Sequence, residues 1–238
     1  MTNNLSVLPV KDITKESIED KKIRNRYNEL LPRIPFLMLI IAPVRSGKSV
    51  LLMNLIYRMY NACFDQIVYI SPTVSHDKST RMLWEDDDII KVDENLNQID
   101  AIVEGIVDNQ KDKHESDRKH VLVVLDDCLG LFSKNGYLMN LCSRFRHYKI
   151  SIVFTTQAFK SVPPIVRNNA TSVMMFKTAN DAEKKKIFEE YAGNYPKFDS
   201  IYEQATREKF NFLYLDQEKI KAYHNFDTLL YSKDDDYN

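Results

Sequence analysis

The strongest structural signal in the chain is the stretch FLMLIIAPVRSGKSVLL, residues 36–52. Its first part, 36–41, is entirely apolar and predicts a strand buried on both faces. From residue 49 to 62 the apolar residues recur at helical spacing on more than one face, which is typical of a helix packed on a sheet. The loop between them ends in Gly-Lys-Ser at 47–49, where backbone amides and the positive end of the helix can bind phosphate. The stretch therefore predicts a nucleotide-binding loop.

The residues of this loop follow the pattern GxxxxGK[ST] except at the first position, where Ala42 stands in place of glycine. We expect Lys48 to reach the β and γ phosphates of ATP and the Ser49 hydroxyl to coordinate Mg²⁺. An alanine at position 42 suits the loop if its φ stays negative, since a left-handed residue there would cost about 1 kcal/mol. The predicted ATP-binding set is Ala42, Pro43, Val44, Arg45, Ser46, Gly47, Lys48 and Ser49.

Two further strands predict the chemistry beside this loop. VLVVLD at 121–126 leads into two adjacent carboxylates, Asp126 and Asp127. Hydrolysis needs a metal ligand and a proton acceptor near the γ phosphate, so we predict that Asp126 holds Mg²⁺ through water and that Asp127 deprotonates the attacking water. The strand ISIVFT at 150–155 ends in a polar triplet. If it lies between the other two strands, as an extra strand does in many P-loop NTPases, Gln157 is the predicted sensor of the γ phosphate.

The rest of the chain alternates strands with helices. This pattern, with strands apolar enough to be covered on both faces, predicts a three-layer α/β fold: a P-loop NTPase of the RecA-like, additional-strand type with a mostly parallel central sheet. We expect an N-terminal arm at 1–35, the ATPase domain at 36–230 and an acidic tail at 231–238. The other predicted elements are strands at 66–70, 89–92 and 172–176, helices at 96–110, 136–148 and 181–193, and a terminal hairpin built from NFLYLD and IKAYH.

Composition excludes several classes of protein. The 238 residues carry 33 Lys and Arg against 34 Asp and Glu, so any polyanion must be bound by a local basic patch. The three cysteines have no CxxC spacing, which argues against a disulfide framework and a zinc site. The longest apolar run, 36–44, is well short of the roughly 20 residues that span a bilayer, so we expect no membrane span and a cytosolic protein.

Five segments in a fixed order resemble the packaging ATPases of nucleocytoplasmic large DNA viruses, the poxvirus-type members of the FtsK–HerA superfamily. They are APVRSGKS (42–49), YISPT (69–73), LVVLDDC (122–128), FRHYKISIVFTTQ (145–157) and VPPIVRNNATSVMMF (162–176). The resemblance implies an ATP-driven motor that moves double-stranded viral DNA into capsids as an oligomeric ring, with capsid proteins as further partners. It also implies that the protein acts in the host cytoplasm, at the site of virus assembly, or in the virion.

The same resemblance carries residue roles onto this chain. It assigns Lys48, Ser49, Asp126, Asp127 and Gln157 to the ATPase set. Arg146 and Arg167 are the matching arginines, and one arginine is expected to complete the active site of a neighbouring subunit. Phe145 departs from the family pattern, in which a glycine often precedes Arg-His-Tyr. The candidates for contact with DNA are Lys149, Lys160, Arg167 and the lysines at 184–186.

Two other functions fit parts of the sequence. A small-molecule or nucleotide kinase also uses a phosphate-binding loop at this chain length, but no arginine-rich lid segment is visible. A nucleotide-binding structural protein of the virion that does not hydrolyse ATP would explain Ala42. Asp127 argues against this second alternative, because a binding-only protein does not need a second carboxylate at that point.

Overall fold

The computed structural model describes residues 29–72, 80–94, 96–133 and 135–234. Most of the predicted N-terminal arm, Thr73 of the YISPT segment and the last four residues of the predicted tail lie outside the described residues. None of the described helices is both long and apolar enough to cross a membrane.

The described residues form one sheet of nine strands, in the order β3-β2-β4-β5-β1-β6-β7-β8-β9. The first six strands of this order pair in parallel and the last three join them in antiparallel pairs. The predicted mostly parallel sheet is therefore confirmed, and β5 lies between β4 and β1 as the additional strand. The strands are β1 (Leu37–Ile41), β2 (Gln66–Ile70), β3 (Ile89–Val92), β4 (Val121–Asp126), β5 (Ile150–Thr156), β6 (Ser172–Phe176), β7 (Phe212–Asp216), β8 (Lys221–His224) and β9 (Thr228–Ser232).

Seven α-helices connect the described strands. They are α1 (Lys48–Asn54), which continues as a π-helical turn at Leu55–Met59, α2 (Arg81–Glu85), α3 (Ile99–Lys111), α4 (Tyr137–Cys142), α5 (Pro164–Asn169), α6 (Asp181–Tyr191) and α7 (Phe198–Ala205). The predicted helix at 136–148 is shorter than expected, because it ends at Cys142 and only a 3₁₀ turn follows at Phe145–Tyr148. The sequence reading missed α2, α5, α7 and β9.

Both faces of the sheet are covered, which confirms the three-layer fold. Alternate residues of β1 belong to different cores: Leu37 and Leu39 pack with residues of α3, whereas Met38 and Ile40 pack with residues of α1. All of β1 is buried, since side chains on successive residues point to opposite faces and each face has its own helix layer.

The folded unit extends past both predicted domain boundaries. Leu31 is buried, the Tyr60 hydroxyl donates to the Pro32 carbonyl over 2.9 Å, and the Tyr214 hydroxyl donates to the Leu30 carbonyl over 2.8 Å. The end of the segment predicted as an arm is thus fastened to the sheet before β1 begins. At the other end β9 continues to Ser232, two residues beyond the predicted limit at 230.

Candidate active site

The predicted ATPase residues converge at one edge of the sheet. Strands β4, β5 and β1 are adjacent and parallel, so their carboxyl ends meet at the same edge. There they enclose a cleft of about 450 Å³. Its lining consists of Ala42, Pro43, Val44, Arg45, Gly47, Lys48, Ser49, Val50, Asp126, Asp127, Gln157 and Phe210. Of the predicted ATP-binding set, all but Ser46 line this cleft.

The phosphate-binding loop tolerates the alanine at its first position. Its positive φ angles occur at Arg45, with φ 62°, and at Gly47, with φ 105°, but not at Ala42. Ala42 is buried, and its N–H donates to the Thr156 carbonyl over 2.8 Å, which extends the pairing of β1 with β5. Glycine is needed at position 47 instead, because side chains other than glycine disfavour this conformation. The Oγ atom of Ser46 is buried and has no hydrogen-bond partner among the described residues.

Lys48 forms ion pairs with both predicted catalytic carboxylates. Its Nζ lies 2.9 Å from Asp126 Oδ1 and also contacts Asp127 Oδ2. Burial works to lower the pKa of Lys48, but the two carboxylates outweigh it, so that the pKa is raised above its ordinary value. The lysine therefore stays positively charged through the neutral pH range and is ready to meet an anionic ligand.

Asp126 is held from two neighbouring strands. The Tyr69 hydroxyl of β2 donates to Asp126 Oδ2 over 2.9 Å, and the Thr155 hydroxyl of β5 donates to Asp126 Oδ1 over 2.5 Å. With Lys48, three donors thus satisfy a carboxylate that is only 5% exposed. Sequence reasoning missed both hydroxyls as site residues, although they lie in the YISPT and TTQ segments that carry the resemblance.

Asp127 is oriented differently and is more open to solvent. Its backbone is left-handed, with φ 54°, and its N–H donates to Thr155 Oγ1 over 3.1 Å. The Gln157 amide nitrogen donates to Asp127 Oδ2 over 3.3 Å. A quarter of the Asp127 side chain is exposed, so a water molecule can reach this carboxylate. The placement suits the predicted role of Asp127 as proton acceptor and brings Gln157 into the same site.

The donor set is suited to Mg²⁺. The hydroxyl of Ser49 and the carboxylate of Asp126 belong to residues that line one cleft, and oxygen is the ligand atom that Mg²⁺ prefers. Among the described residues no group of three or more His, Cys, Asp and Glu could hold a metal on its own. Mg²⁺ in nucleotide sites is usually bound by one or two protein ligands together with waters and substrate phosphates.

The two predicted catalytic arginines do not lie in this cleft. Arg146 precedes β5 and Arg167 precedes β6, so both lie at the amino ends of the strands, on the opposite edge of the sheet from Lys48. Arg146 pairs with Glu218 Oε1 over 2.5 Å. The guanidinium of Arg167 lies 5.1 Å from the ring centre of Phe159, and its Nε is 3.7 Å from Glu190 Oε1. Both arginines line a second, polar cleft of about 610 Å³.

The strand order, the phosphate-binding loop after β1, the paired aspartates after β4 and the glutamine after β5 define a P-loop NTPase of the additional-strand type. A family model described as Poxvirus A32 protein matches residues 22–191. The chain belongs to this family, which confirms the resemblance to poxvirus-type proteins.

Viral relatives show weaker similarity over parts of their length. Protein 075L of Invertebrate iridescent virus 6 is 28% identical over 124 residues, which cover 49% of this chain and 48% of that protein. Protein L437 of Acanthamoeba polyphaga mimivirus is 28% identical over 110 residues, which cover 42% of this chain and 39% of that protein. The chain thus spans about half, or less, of the length of these two relatives.

Solved structures share the fold at low sequence identity. The DNA-packaging ATPase B204 of Sulfolobus turreted icosahedral virus superposes with a TM-score of 0.61 at 17% identity, covering 80% of this chain and 97% of that chain. The conjugation coupling protein TcpA of pCW3 superposes with a TM-score of 0.51 at 13% identity, covering 76% of this chain and 57% of that chain.

Proposed function

We propose that the protein is an ATP-hydrolysing motor that moves double-stranded viral DNA into capsids. The observation that carries the proposal is the meeting of Lys48 with Asp126 and Asp127, beside Gln157, in the cleft of a P-loop fold. Membership of the poxvirus A32 family supports it. So does the shared fold with B204 of Sulfolobus turreted icosahedral virus 2, a genome packaging NTPase that was solved with AMPPCP and with ATP-gammaS.

The residues of the cleft divide the work of hydrolysis between them. Lys48 pairs with the two aspartates before nucleotide binds, and on binding it interacts with the β and γ phosphates instead. Asp127, released from the lysine and open to solvent, then accepts the proton of the attacking water. Gln157 keeps the Asp127 carboxylate oriented through its amide.

ATP and Mg²⁺ fit the polar atoms of the loop. Lys48 and Ser49, whose side chains carry an ammonium and a hydroxyl, line the cleft in which the phosphates would lie. Ser49 and Asp126 would hold Mg²⁺, with Asp126 fixed by the hydroxyls of Tyr69 and Thr155. When bound, the ion neutralises charge on the β and γ phosphates.

Arg146 and Arg167 lie at the opposite edge of the sheet from the nucleotide cleft, and this position supports an assembly of subunits. Both arginines lie too far along the strands to serve their own nucleotide, because β5 has seven residues and β6 has five, and strands of these lengths span about 23 Å and about 16 Å. In a ring, one edge of the sheet can face the cleft of the next subunit, where an arginine would stabilise the charge of the transition state. We therefore propose that one of these arginines acts in trans.

Contact with DNA must come from few residues, since the net charge of the chain is −1. Lys184 and Lys186 are already paired with Glu203 and Glu189, which leaves Lys149, Lys160 and Lys185 as better candidates for lining a pore. Contacts with phosphates carry no sequence information and weaken as salt rises. We therefore propose sequence-independent, salt-sensitive binding of DNA, in the host cytoplasm during virus assembly or in the virion, with capsid proteins as further partners.

Steady-state ATP hydrolysis tests the proposal. The purified protein is measured with and without double-stranded DNA, over a range of protein concentrations. We expect turnover per subunit to rise with both, because the site is completed between subunits that surround DNA. Turnover indifferent to both would favour a kinase, and ATP binding without turnover would favour a structural nucleotide-binding protein.

A further inference from the structure

Phe210 is an exposed aromatic residue in the nucleotide cleft. Its side chain is 55% exposed, although it lines the same cleft as Lys48 and Asp127. Its backbone is left-handed, with φ 71°, a conformation that bulky residues rarely adopt and that concentrates at functional sites. A ring held in water at this point contributes little to the core of the sheet, so its position is better explained by a ligand.

The ring and the aspartates lie on opposite sides of the phosphate-binding loop. Phe210 comes just before β7, whose first residue pairs with Phe176 at the carboxyl end of β6. Because β6 adjoins β1 on the side away from β5 and β4, this position is opposite to that of Asp127. The ring also lies beside the loop itself, since a Cβ added to Gly47 would lie 3.4 Å from Phe210 Cδ1.

This arrangement orients a nucleotide along the cleft. The γ phosphate belongs on the side of Asp127 and Gln157, where water can be activated, so the base must extend across the loop to the other side. We infer that Phe210 is the platform on which the base of the bound nucleotide stacks, an assignment that rests on the proposed nucleotide site. Lys209 Nζ lies 4.8 Å from the centre of the ring and adds positive charge beside it.

Stacking does not require hydrogen bonds to the base, because every base presents a π face. The subsite therefore accepts any nucleobase and favours the larger purine ring, which covers more of the phenylalanine. This separates two contributions to binding: the loop with Lys48 holds the phosphates, and Phe210 holds the base.

Equilibrium binding by the full chain separates these contributions. Calorimetry is carried out with the non-hydrolysable nucleotide AMPPCP and with inorganic tripolyphosphate, both with Mg²⁺. For Phe210→Ala we expect AMPPCP affinity to fall about 5- to 100-fold, with tripolyphosphate affinity unchanged. Phe210→Tyr should bind AMPPCP like the wild type, because it keeps the ring.

Trp84→Ala provides the matched control. Trp84 is also an exposed aromatic residue, at 45%, with a lysine 5.9 Å from its ring, but it lies in α2, which leads into the amino end of β3. It should leave both affinities unchanged. Unchanged AMPPCP binding by Phe210→Ala would overturn the inference, and so would an equal loss for both probes, which would make Phe210 a support for Gly47. Wild-type protein that binds AMPPCP through Phe210 but does not hydrolyse ATP would instead refute the proposed motor.

Discussion

Thr155 links the two aspartates of the nucleotide cleft, and its replacement by valine should damage the site while preserving the shape of the strand. The hydroxyl donates to Asp126 over 2.5 Å and accepts the Asp127 N–H over 3.1 Å, and the residue is fully buried. A hydrogen bond to a charged group stabilises by about 1.5 to 3 kcal/mol and a neutral one by about 1 kcal/mol. Thr155→Val should therefore lower the free energy of unfolding by about 2.5 to 4 kcal/mol.

The same change should slow hydrolysis. Asp126 loses one of its two hydroxyl donors and the backbone of Asp127 loses its anchor, so both carboxylates move more freely. If the poorer orientation of the carboxylates reduces the stabilisation of the transition state by about 1.5 kcal/mol or more, kcat falls about tenfold or more. The KM for ATP should change much less, because Lys48 and the loop amides are untouched.

Thr156→Val is the control for this experiment. Thr156 is the next residue of β5 and is buried as well, but its hydroxyl bonds only to neutral groups, chiefly the backbone of Ala158. Urea unfolding should show a smaller loss of about 1 to 2 kcal/mol. ATP hydrolysis is measured at a temperature at which both variants are folded. Equal losses of kcat in the two variants would refute the idea that Thr155 acts by positioning the aspartates.

Three further outcomes are expected. Lys48→Ala should abolish both the binding and the hydrolysis of ATP, and tight binding in a filter assay would contradict the loop assignment. Asp127→Asn should still bind ATP but hydrolyse it at least about 100-fold more slowly in single-turnover measurements; undiminished turnover would place the proton acceptor elsewhere. Burial raises the pKa of Cys63 to about 11, and burial with nearby carboxylates raises that of Cys128 to about 12. A thiol reagent at pH 8 should therefore label these residues slowly in native protein and fast in guanidinium, and stability should fall as the pH rises above about 8.5, where the unfolded thiols ionise. Fast native labelling would contradict the burial of both thiols.

The central strands could be predicted closely from the sequence. The bounds predicted for β2, β4 and β6 match the structure, and so do those of the edge strand β3. A strand buried on both faces, as β4 and β6 are, appears as a short apolar run between polar residues. Elements outside this pattern were harder to predict. α5 begins at Pro164 directly after Pro163, and two adjacent prolines resemble a loop more than a helix start. α7 did carry a signal, since Phe198, Ile201, Tyr202 and Ala205 recur at helical spacing.

The sequence likewise predicts some residues of the candidate site and not others. The sequence predicts that Lys48, Asp126 and Gln157 lie close together, because parallel strands place their carboxyl ends at one edge of the sheet. The partners of Asp126 depend instead on register: Asp126 stands opposite Thr155 in the β4–β5 pair, and Tyr69 belongs to the strand on the other side. Register arises from contacts between distant segments, so the spacing within one strand does not determine it. No sequence pattern indicated Phe210 as a site residue. Its position beside Gly47 depends on how β7 pairs with β6 in the antiparallel part of the sheet.

Strand direction alone predicts at which edge of the sheet the two arginines lie. A residue that precedes a strand in a parallel sheet lies at the amino edge, whereas the phosphate-binding loop follows its strand and lies at the carboxyl edge. Arg146 precedes β5 and Arg167 precedes β6, so the same order of motifs that suggests catalytic arginines also separates them from Lys48 of their own chain. An arginine at that edge can reach a γ phosphate only if the nucleotide belongs to another subunit. If Arg146 or Arg167 assists hydrolysis, it must therefore act on the nucleotide of another subunit, and a chain held monomeric by dilution should lose that assistance.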